Sequence, residues 1–330
     1  MISKMDEYLV HQTEKPLAEV ASDHQDWQDR FYFNIHDPSG EFAAITGLGA
    51  FPNRKMMQAF VFATFKDQHY AYLNVRPLAG DREVMQTGSL SYSIVEPLKA
   101  WKLDLADEAN GIRAQLEFRN RCPLHTFSPI HWQNGEKLVA DFMHYTQSGR
   151  YTGSFTIGDR TFTDLVGIRD RTWGVRAMAD VPMWIWISAQ FRDYCVSAWL
   201  WETPDGEIIH QDGALTRESG EDVPITRIEH ELELWPGRKC PRSARYRLTT
   251  DSGETLALAA EEIGTIFLGP MTGRWSDSDA KALAAADAAS FGFDQHCRFT
   301  LGGETGYGIV EYMFTGGVKR YGVPPTKLGG

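Results

Sequence analysis

Alternation of apolar and polar positions with period two is the strongest pattern along this chain. Ala114, Leu116 and Phe118 alternate with Arg113, Gln115, Glu117 and Arg119, and Ile228, His230, Leu232 and Leu234 alternate with Arg227, Glu229, Glu231 and Glu233. Successive side chains of a strand point to opposite faces, so each stretch predicts a strand with one face buried and one in water. Aromatic and β-branched runs at 30–36, 60–65, 71–75, 90–95 and 101–105 extend the series, and turn formers such as Asp37-Pro38-Ser39-Gly40 and Asp251-Ser252-Gly253-Glu254 punctuate it. The one convincing helical stretch is alanine-rich, with Ser276 or Ser278 as a cap, and predicts a short helical insertion near 278–288. Many short strands joined by short polar turns make an all-β sandwich or closed barrel, and the frequency of inward-facing aromatic residues favours barrels. A boundary between two such series is expected near 150–178, because 149–174 is rich in glycine and charge. The expected division is an N-terminal arm over 1–26, a first barrel domain over 27–165 and a second over 166–330.

The length of 330 residues agrees with two domains. With 33 Lys and Arg against 44 Asp and Glu, the net charge of −11 argues against nucleic acid and anionic membrane surfaces as partners. The 18 Phe, 12 Tyr and 10 Trp supply apolar surface for substantial cores and exclude a disordered chain. Cys122, Cys195, Cys240 and Cys297 form no CxxC pair and read as free thiols in a reducing compartment. No apolar run reaches the length of a signal peptide or a membrane span, so a soluble cytoplasmic protein without membrane insertion is expected. Phosphate-loop, GxSxG, HExxH and dinucleotide motifs are absent, and Gly302-Gly303-Glu304-Thr305-Gly306-Tyr307-Gly308 precedes a strand, which makes it a hairpin turn. The histidines lack ligand spacing, so neither a metal nor a nucleotide cofactor is expected.

Chemistry concentrates in Gly167-Ile168-Arg169-Asp170-Arg171-Thr172-Trp173-Gly174-Val175-Arg176. Guanidinium and carboxylate form bidentate pairs, so Asp170 is expected to be ionised, with a depressed pKa, and held by Arg169, Arg171 or Arg176. That arrangement serves either as a clamp between domains or as a catalytic base, and Asp170→Asn would break a buried pair at a cost on the order of 3 kcal/mol. In 183–191, Trp184, Trp186, Ser188 and Gln190 share one face and Ile185, Ile187, Ala189 and Phe191 the other; Trp199 and Trp201 repeat the spacing. A strand apolar on both faces lies between two packed layers or lines a ligand cavity. His144 shares a face with Phe142 and Thr146, where imidazole is a proton carrier or a hydrogen-bonded structural group. Glu311 interrupts the apolar alternation of Tyr307, Ile309 and Met313; burial would make its carboxyl a general acid unless a central arginine pairs with it.

Asp170, Trp173 and Gly174 form the pattern D-x-x-W-G near the middle of the chain. In this the sequence resembles the AttH-like and hydroxyneurosporene-synthase-like proteins, a lipocalin-related family that includes carotenoid 1,2-hydratases. A closer branch of that family is similar in Tyr32-Phe33-Asn34, in His36-Asp37-Pro38, in Thr146-Gln147-Ser148-Gly149-Arg150, in 169–176 and in Gly306-Tyr307-Gly308-Ile309-Val310-Glu311-Tyr312. Where the carotenoid hydratase branch has Asp-His, this chain has Asp170-Arg171. The resemblance implies two tandem lipocalin-like (calycin) β-barrels and a superfamily chemistry of hydration and cyclisation on lipophilic molecules. The expected function is a cofactor-independent acid–base enzyme, a hydratase, dehydratase, isomerase or cyclase, acting on a hydrophobic small molecule of isoprenoid or polycyclic type. Asp170, His144 and Glu311 would transfer protons, with Trp173, Arg171, Arg176, Trp184, Trp186, Trp199, Trp201, Tyr145 and Tyr312 around the substrate. The alternative is a non-catalytic carrier of lipophiles, which the presence of an ionisable pair beside the ligand would argue against.

Overall fold

A computed structural model describes residues 2–325 except 79, 81, 237, 270 and 287–291. The alternating segments form antiparallel strands. The first half holds β1 (Trp27–His36), β2 (Phe42–Phe51), β3 (Met56–Phe65), β4 (Gln68–Pro77), β5 (Gln86–Thr87), β6 (Leu90–Glu96), β7 (Ala100–Asp107), β8 (Ile112–Asn120), β9 (His125–Thr126), β10 (Ile130–Asn134), β11 (Lys137–Ile157), β12 (Arg160–Phe162) and β13 (Leu165–Arg176). The second half holds β14 (Met183–Gln190), β15 (Tyr194–Glu202), β16 (Ile208–Arg217), β17 (Asp222–Leu234), β18 (Pro241–Thr250), β19 (Thr255–Leu268), β20 (Gly273–Ser276), the helix α1 (Asp277–Ala286), β21 (Gly292–Leu301) and β22 (Glu304–Met313).

The strands from β14 to β19, with β21 and β22, close into a barrel in which β14 pairs with both β15 and β22. The others make one curled sheet in the order β20-β4-β3-β2-β1-β13-β11-β8-β7-β6-β5, with β9, β10 and β12 attached to β11. This sheet curls until β4 and β5 meet through side chains: the Tyr72 hydroxyl donates to the Thr87 carbonyl at 3.2 Å, and Arg76 Nε donates to the Gln86 carbonyl at 2.7 Å. The expected all-β architecture of two barrel-like domains with a helical insertion is therefore what forms. The helix runs over Asp277–Ala286, and residues 287 and 288 of the expected insertion lie outside the described residues. Gly302 and Gly303, both at positive φ, make the β21–β22 hairpin turn.

β13 hydrogen-bonds to β1 and β11, so by pairing 166–176 belongs to the first sheet, and the barrel starts at Met183. β20 comes from the second half yet pairs with β4, which ties the domains together. The N-terminal arm packs on the first domain: Asn53 Nδ2 donates to the Ser22 and His24 carbonyls at 2.8 Å each, and Arg82 donates to the Ala18 carbonyl at 2.9 Å. Among the described residues no helix is long and apolar enough to cross a membrane.

Alternation sorts the apolar side chains into three layers. Phe31, Phe33 and Ile35 fill the first domain with Tyr92, Trp101 and Phe118. Ile185, Ile187, Val196, Leu200, Leu248 and Phe299 fill the barrel. The opposite faces of the same strands carry Tyr32, Ile45, Phe142, Trp184, Trp186, Trp199, Trp201 and Ile309, and these pack against one another between the domains. β14 is apolar on both faces because it separates the barrel interior from this interdomain layer. The cavity inside the first domain, lined by Ile35, Thr46, Val61, Leu90 and Phe155, is about 10 Å³, room for roughly one water.

Candidate active site

The interdomain layer gathers charged groups in its middle. On the first sheet, Asp170 of β13 lies between Tyr32 of β1 and Thr146 of β11, and its neighbour on the same face, Thr172, lies between Arg30 and His144. On the barrel, Glu311 of β22 lies between Trp186 of β14 and Asp294 of β21, and Trp186 is opposite Trp199 of β15. The two faces meet where the Tyr32 ring stands edge-on to Trp186, centroids 5.7 Å apart. Half-buried Arg30, Arg176, Glu311 and Met313 mark where solvent reaches this layer.

Asp170 does not match the expectation of an ionised carboxylate clamped by arginine. Among the described residues no basic nitrogen stands within ion-pair distance of it, and its Oδ1 has no hydrogen-bond partner. Burial pushes its carboxyl up to about 7; Arg30 and Arg176 pull the other way, and the Glu311 carboxylate adds to the rise. The reason is the period of the strand. Arg169 and Arg171 alternate with Asp170 and point to the opposite face. There Arg169 Nε donates to Gln147 Oε1 at 3.1 Å, and Arg171 pairs with the Asp29 carboxylate. Arg176 shares the face of Asp170 but stacks its guanidinium over Phe142 and Trp199, at 5.2 and 5.8 Å from the ring centroids, and burial pulls its pKa down to about 9.

Burial also raises Glu311 and Asp294, and as cross-strand neighbours they oppose each other's ionisation. The Tyr32 hydroxyl feels the Glu311 carboxylate at a separation longer than a formed hydrogen bond, and burial raises it too. His144 Nδ1 lies 2.9 Å from Thr172 Oγ1, while its Nε2 has no partner. Burial, with Arg176 and Arg30 adding to it, holds this imidazole neutral. The indole N–H groups of Trp184, Trp186, Trp199 and Trp201 are also buried without an acceptor. Each such group costs about 1–3 kcal/mol when nothing satisfies it, so their concentration in one layer marks a place built to meet something polar.

Of the residues singled out by sequence, the structure brings together Asp170, His144, Glu311, Arg176, Trp184, Trp186, Trp199 and Trp201. It places four elsewhere. Arg171 is on the far face of β13; Trp173 is 38% exposed there, its ring 6.2 Å from that of Tyr145; and Tyr312 points into the barrel, where its hydroxyl meets that of Tyr246. Sequence reasoning missed Arg30, Tyr32 and Asp294. The alternation of Arg30, Tyr32 and Asn34 with Phe31, Phe33 and Ile35 is the signal that points to the first two, since it gives β1 a polar-edged second face. Among the described residues no cluster of three or more His, Cys, Asp or Glu is placed to hold a metal ion.

No protein of curated function matches the chain by sequence. Two solved structures share its fold over nearly the whole length. One is an AttH-assigned protein of Nitrosomonas europaea (NE1406), at TM-score 0.62 and 16% identity, covering 89% of this chain and 94% of that one. The other is kievitone hydratase of Nectria haematococca, at TM-score 0.58 and 12% identity, covering 91% and 92%. The fold is thus the tandem lipocalin-like architecture of AttH-like proteins, as the D-x-x-W-G resemblance implies. The family model that matches spans residues 2–323, and the chain belongs to that family, the family of unknown function DUF8625.

Proposed function

We propose that this protein is a hydratase-type lyase that adds water across a carbon–carbon double bond of a hydrophobic small molecule held between its domains. The observation that carries the reading is Asp170: a buried carboxyl without an ion-pair partner, in an aromatic layer, near an imidazole with a free Nε2. Kievitone hydratase, which has the same fold, is by its name a hydratase, and this supports the reaction class.

Asp170, protonated up to about pH 7, gives its proton to one alkene carbon; a C–H bond forms as the π bond breaks. The positive charge left on the other carbon lies against the indole faces of Trp186 and Trp199, which attract cations through their quadrupoles. Water attacks that carbon and a C–O bond forms. The proton that the water loses passes to His144 Nε2, and attack on a cation asks only for a weak base, which suits an imidazole whose basicity burial has lowered. His144 and Asp170 are diagonal neighbours across β11 and β13, a pairing that sets their backbone positions about 7–8 Å apart, and water between the two side chains links them. The proton returns along it to Asp170, and the site is restored. Burial and the Glu311 carboxylate opposite keep Asp170 protonated, because a second negative charge in this layer is costly. Each step uses side chains and water alone. A carrier would have no use for these ionisable groups.

The test is to incubate the protein with lipophilic extracts of its source in heavy-oxygen water and to search by mass spectrometry for products that gain one labelled water. Such a product is expected with the parent protein and not with Asp170→Asn. A lipophile recovered unchanged from both proteins would replace the enzyme with a carrier.

A further inference from the structure

We infer that the ligand of the interdomain layer is a rigid apolar molecule bearing hydrogen-bond-accepting oxygens, carbonyl, ether or phenolic, and not a plain hydrocarbon. The inference rests on the proposed site and names the substrate class that fits it. Trp184 and Trp201 face each other across β14 and β15, as do Trp186 and Trp199, so the four indoles form a block on one face of the barrel. Trp184 stacks on Trp201 with centroids 6.5 Å apart, and Trp199 stands edge-on to Trp201 at 5.4 Å. All four N–H groups are buried without an acceptor, and the Tyr32 hydroxyl and Arg176 Nε beside them are in the same condition.

A buried indole N–H ordinarily finds a partner. One lone exception, Trp101, sits in the core of the first domain; four on adjacent positions of one face, with two more donors across from them, are a patterned feature. Water satisfies such donors only where it finds two to four polar partners, and the ring faces of Phe142, Trp199 and Trp201 supply few. Around the indole block six buried donors stand unpartnered, while the unpartnered acceptors Asp170 Oδ1 and His144 Nε2 belong to the first sheet across the layer, so the molecule that complements the block presents acceptors, on a flat frame that aromatic walls can hold. A hydrocarbon would leave all six donors unmet, which is a strong basis for rejection.

Xanthone and anthracene share one fused three-ring frame and differ in a carbonyl and a ring-ether oxygen, which makes them the matched probes. Calorimetric titration of the whole protein is expected to give xanthone an affinity at least about tenfold above that of anthracene. The indole N–H resonances of the four tryptophans, assigned with Trp184→Phe, Trp186→Phe, Trp199→Phe and Trp201→Phe, are expected to move with xanthone and not with anthracene. If one variant fails to fold, the affinity ratio in the parent protein still decides. Equal affinities, or xanthone binding that leaves these resonances unmoved, would overturn the acceptor-bearing class and leave a hydrophobic site in place. Failure of both probes to bind would overturn this inference together with the hydrophobic ligand on which the proposed function stands.

Discussion

The Asp170 carboxyl holds its proton to about pH 7 in the folded chain, while in the unfolded chain it ionises near 3.8. Between those values the folded state binds more protons than the unfolded one. The contribution of this group to stability is therefore complete below pH 3.8, shrinks as pH rises, and is gone above about 7. The shift corresponds to a swing on the order of 4 kcal/mol. Asp170→Asn removes the titration, so the variant is expected to be more stable than the parent near pH 7 and equal to it below pH 4, as measured by urea unfolding across that range. A buried carboxylate clamped by arginine would show the reverse, a loss on the order of 3 kcal/mol at neutral pH. Three arginines within six residues of Asp170 suggest the clamp when the segment is read as composition. Read with period two, the same letters put Arg169 and Arg171 on the far face, and only Arg176 stays near. Gly174 in the same motif is a residue that lets the backbone pass close to a neighbour or take positive φ, and the structure shows both. Its φ is +129°, and a Cβ there would stand 2.2 Å from the Asp141 carbonyl oxygen. Gly174→Ala is expected to cost on the order of 3 kcal/mol, with thermal unfolding as the readout, because β11 cannot retreat from β13 without breaking the row that holds His144.

The connection between β8 and β10 is the element least visible in the sequence and among the most consequential for the layer. It has two residues of strand, β9, and no alternation to read, since its contacts come from charges far apart along the chain. Arg121 donates to Gln190 Oε1 at 2.9 Å and to the Phe191 and Tyr194 carbonyls at 3.0 Å each, all on the barrel. His125 stands 3.6 Å from Asp212 and 3.3 Å from Asp222, and Asp212 accepts from both the backbone and the hydroxyl of Ser128 at 2.6 Å. So latched, the segment sets Phe127 against His144, with ring centroids 4.7 Å apart. Burial alone would lower the pKa of His125, but the two carboxylates outweigh it and raise it to about 9. A raised histidine stabilises fully below its ordinary value of 6.5, and that stability is lost as pH climbs through about 9. Hydrogen-exchange protection in 125–130 is therefore expected to fall between those values. Asp212→Asn should move the fall to lower pH, and protection that stays flat with pH in both proteins would show that the latch does not depend on the imidazolium. The strands around it tell the opposite story. β14 and β15 are readable residue by residue, because each has only two faces and both are apolar.

At the scale of the molecule, periodicity tells which side chains share a face but not which faces of the two domains meet. The two alternating series predict two barrel-like units, and those form. That the indoles turn away from the barrel interior, and that Asp170 of one domain looks onto Glu311 of the other, depends on how the units pack. The packing leaves neither unit complete by itself. The layer between them contains Trp184, Trp186, Trp199 and Trp201 from the barrel and Tyr32, Phe142 and Ile168 from the first sheet, all buried. β20, carried on the loop between β19 and β21, is hydrogen-bonded into the first sheet at β4. Separating the domains would expose this aromatic block to water and break that ladder, which makes the interface resemble a core more than a contact between independent domains. The chain is thus expected to unfold in one cooperative step, with tryptophan fluorescence and far-ultraviolet circular dichroism falling along the same urea curve. If fluorescence changed first, while the dichroism of the strands remained, the domains would be parting before they unfold. The acids on β13 and β22 would then not be held in fixed register, and a proton transfer that depends on their shared burial would lose its structural basis. Trp186→Ala sharpens the comparison, because it removes the ring that meets Tyr32 across the layer. Deletion of a buried aromatic costs about 3–5 kcal/mol. If the layer is what couples the domains, that loss should appear as a downward shift of the single transition in both probes, and a shift confined to one probe would mean that the two domains stand on their own cores.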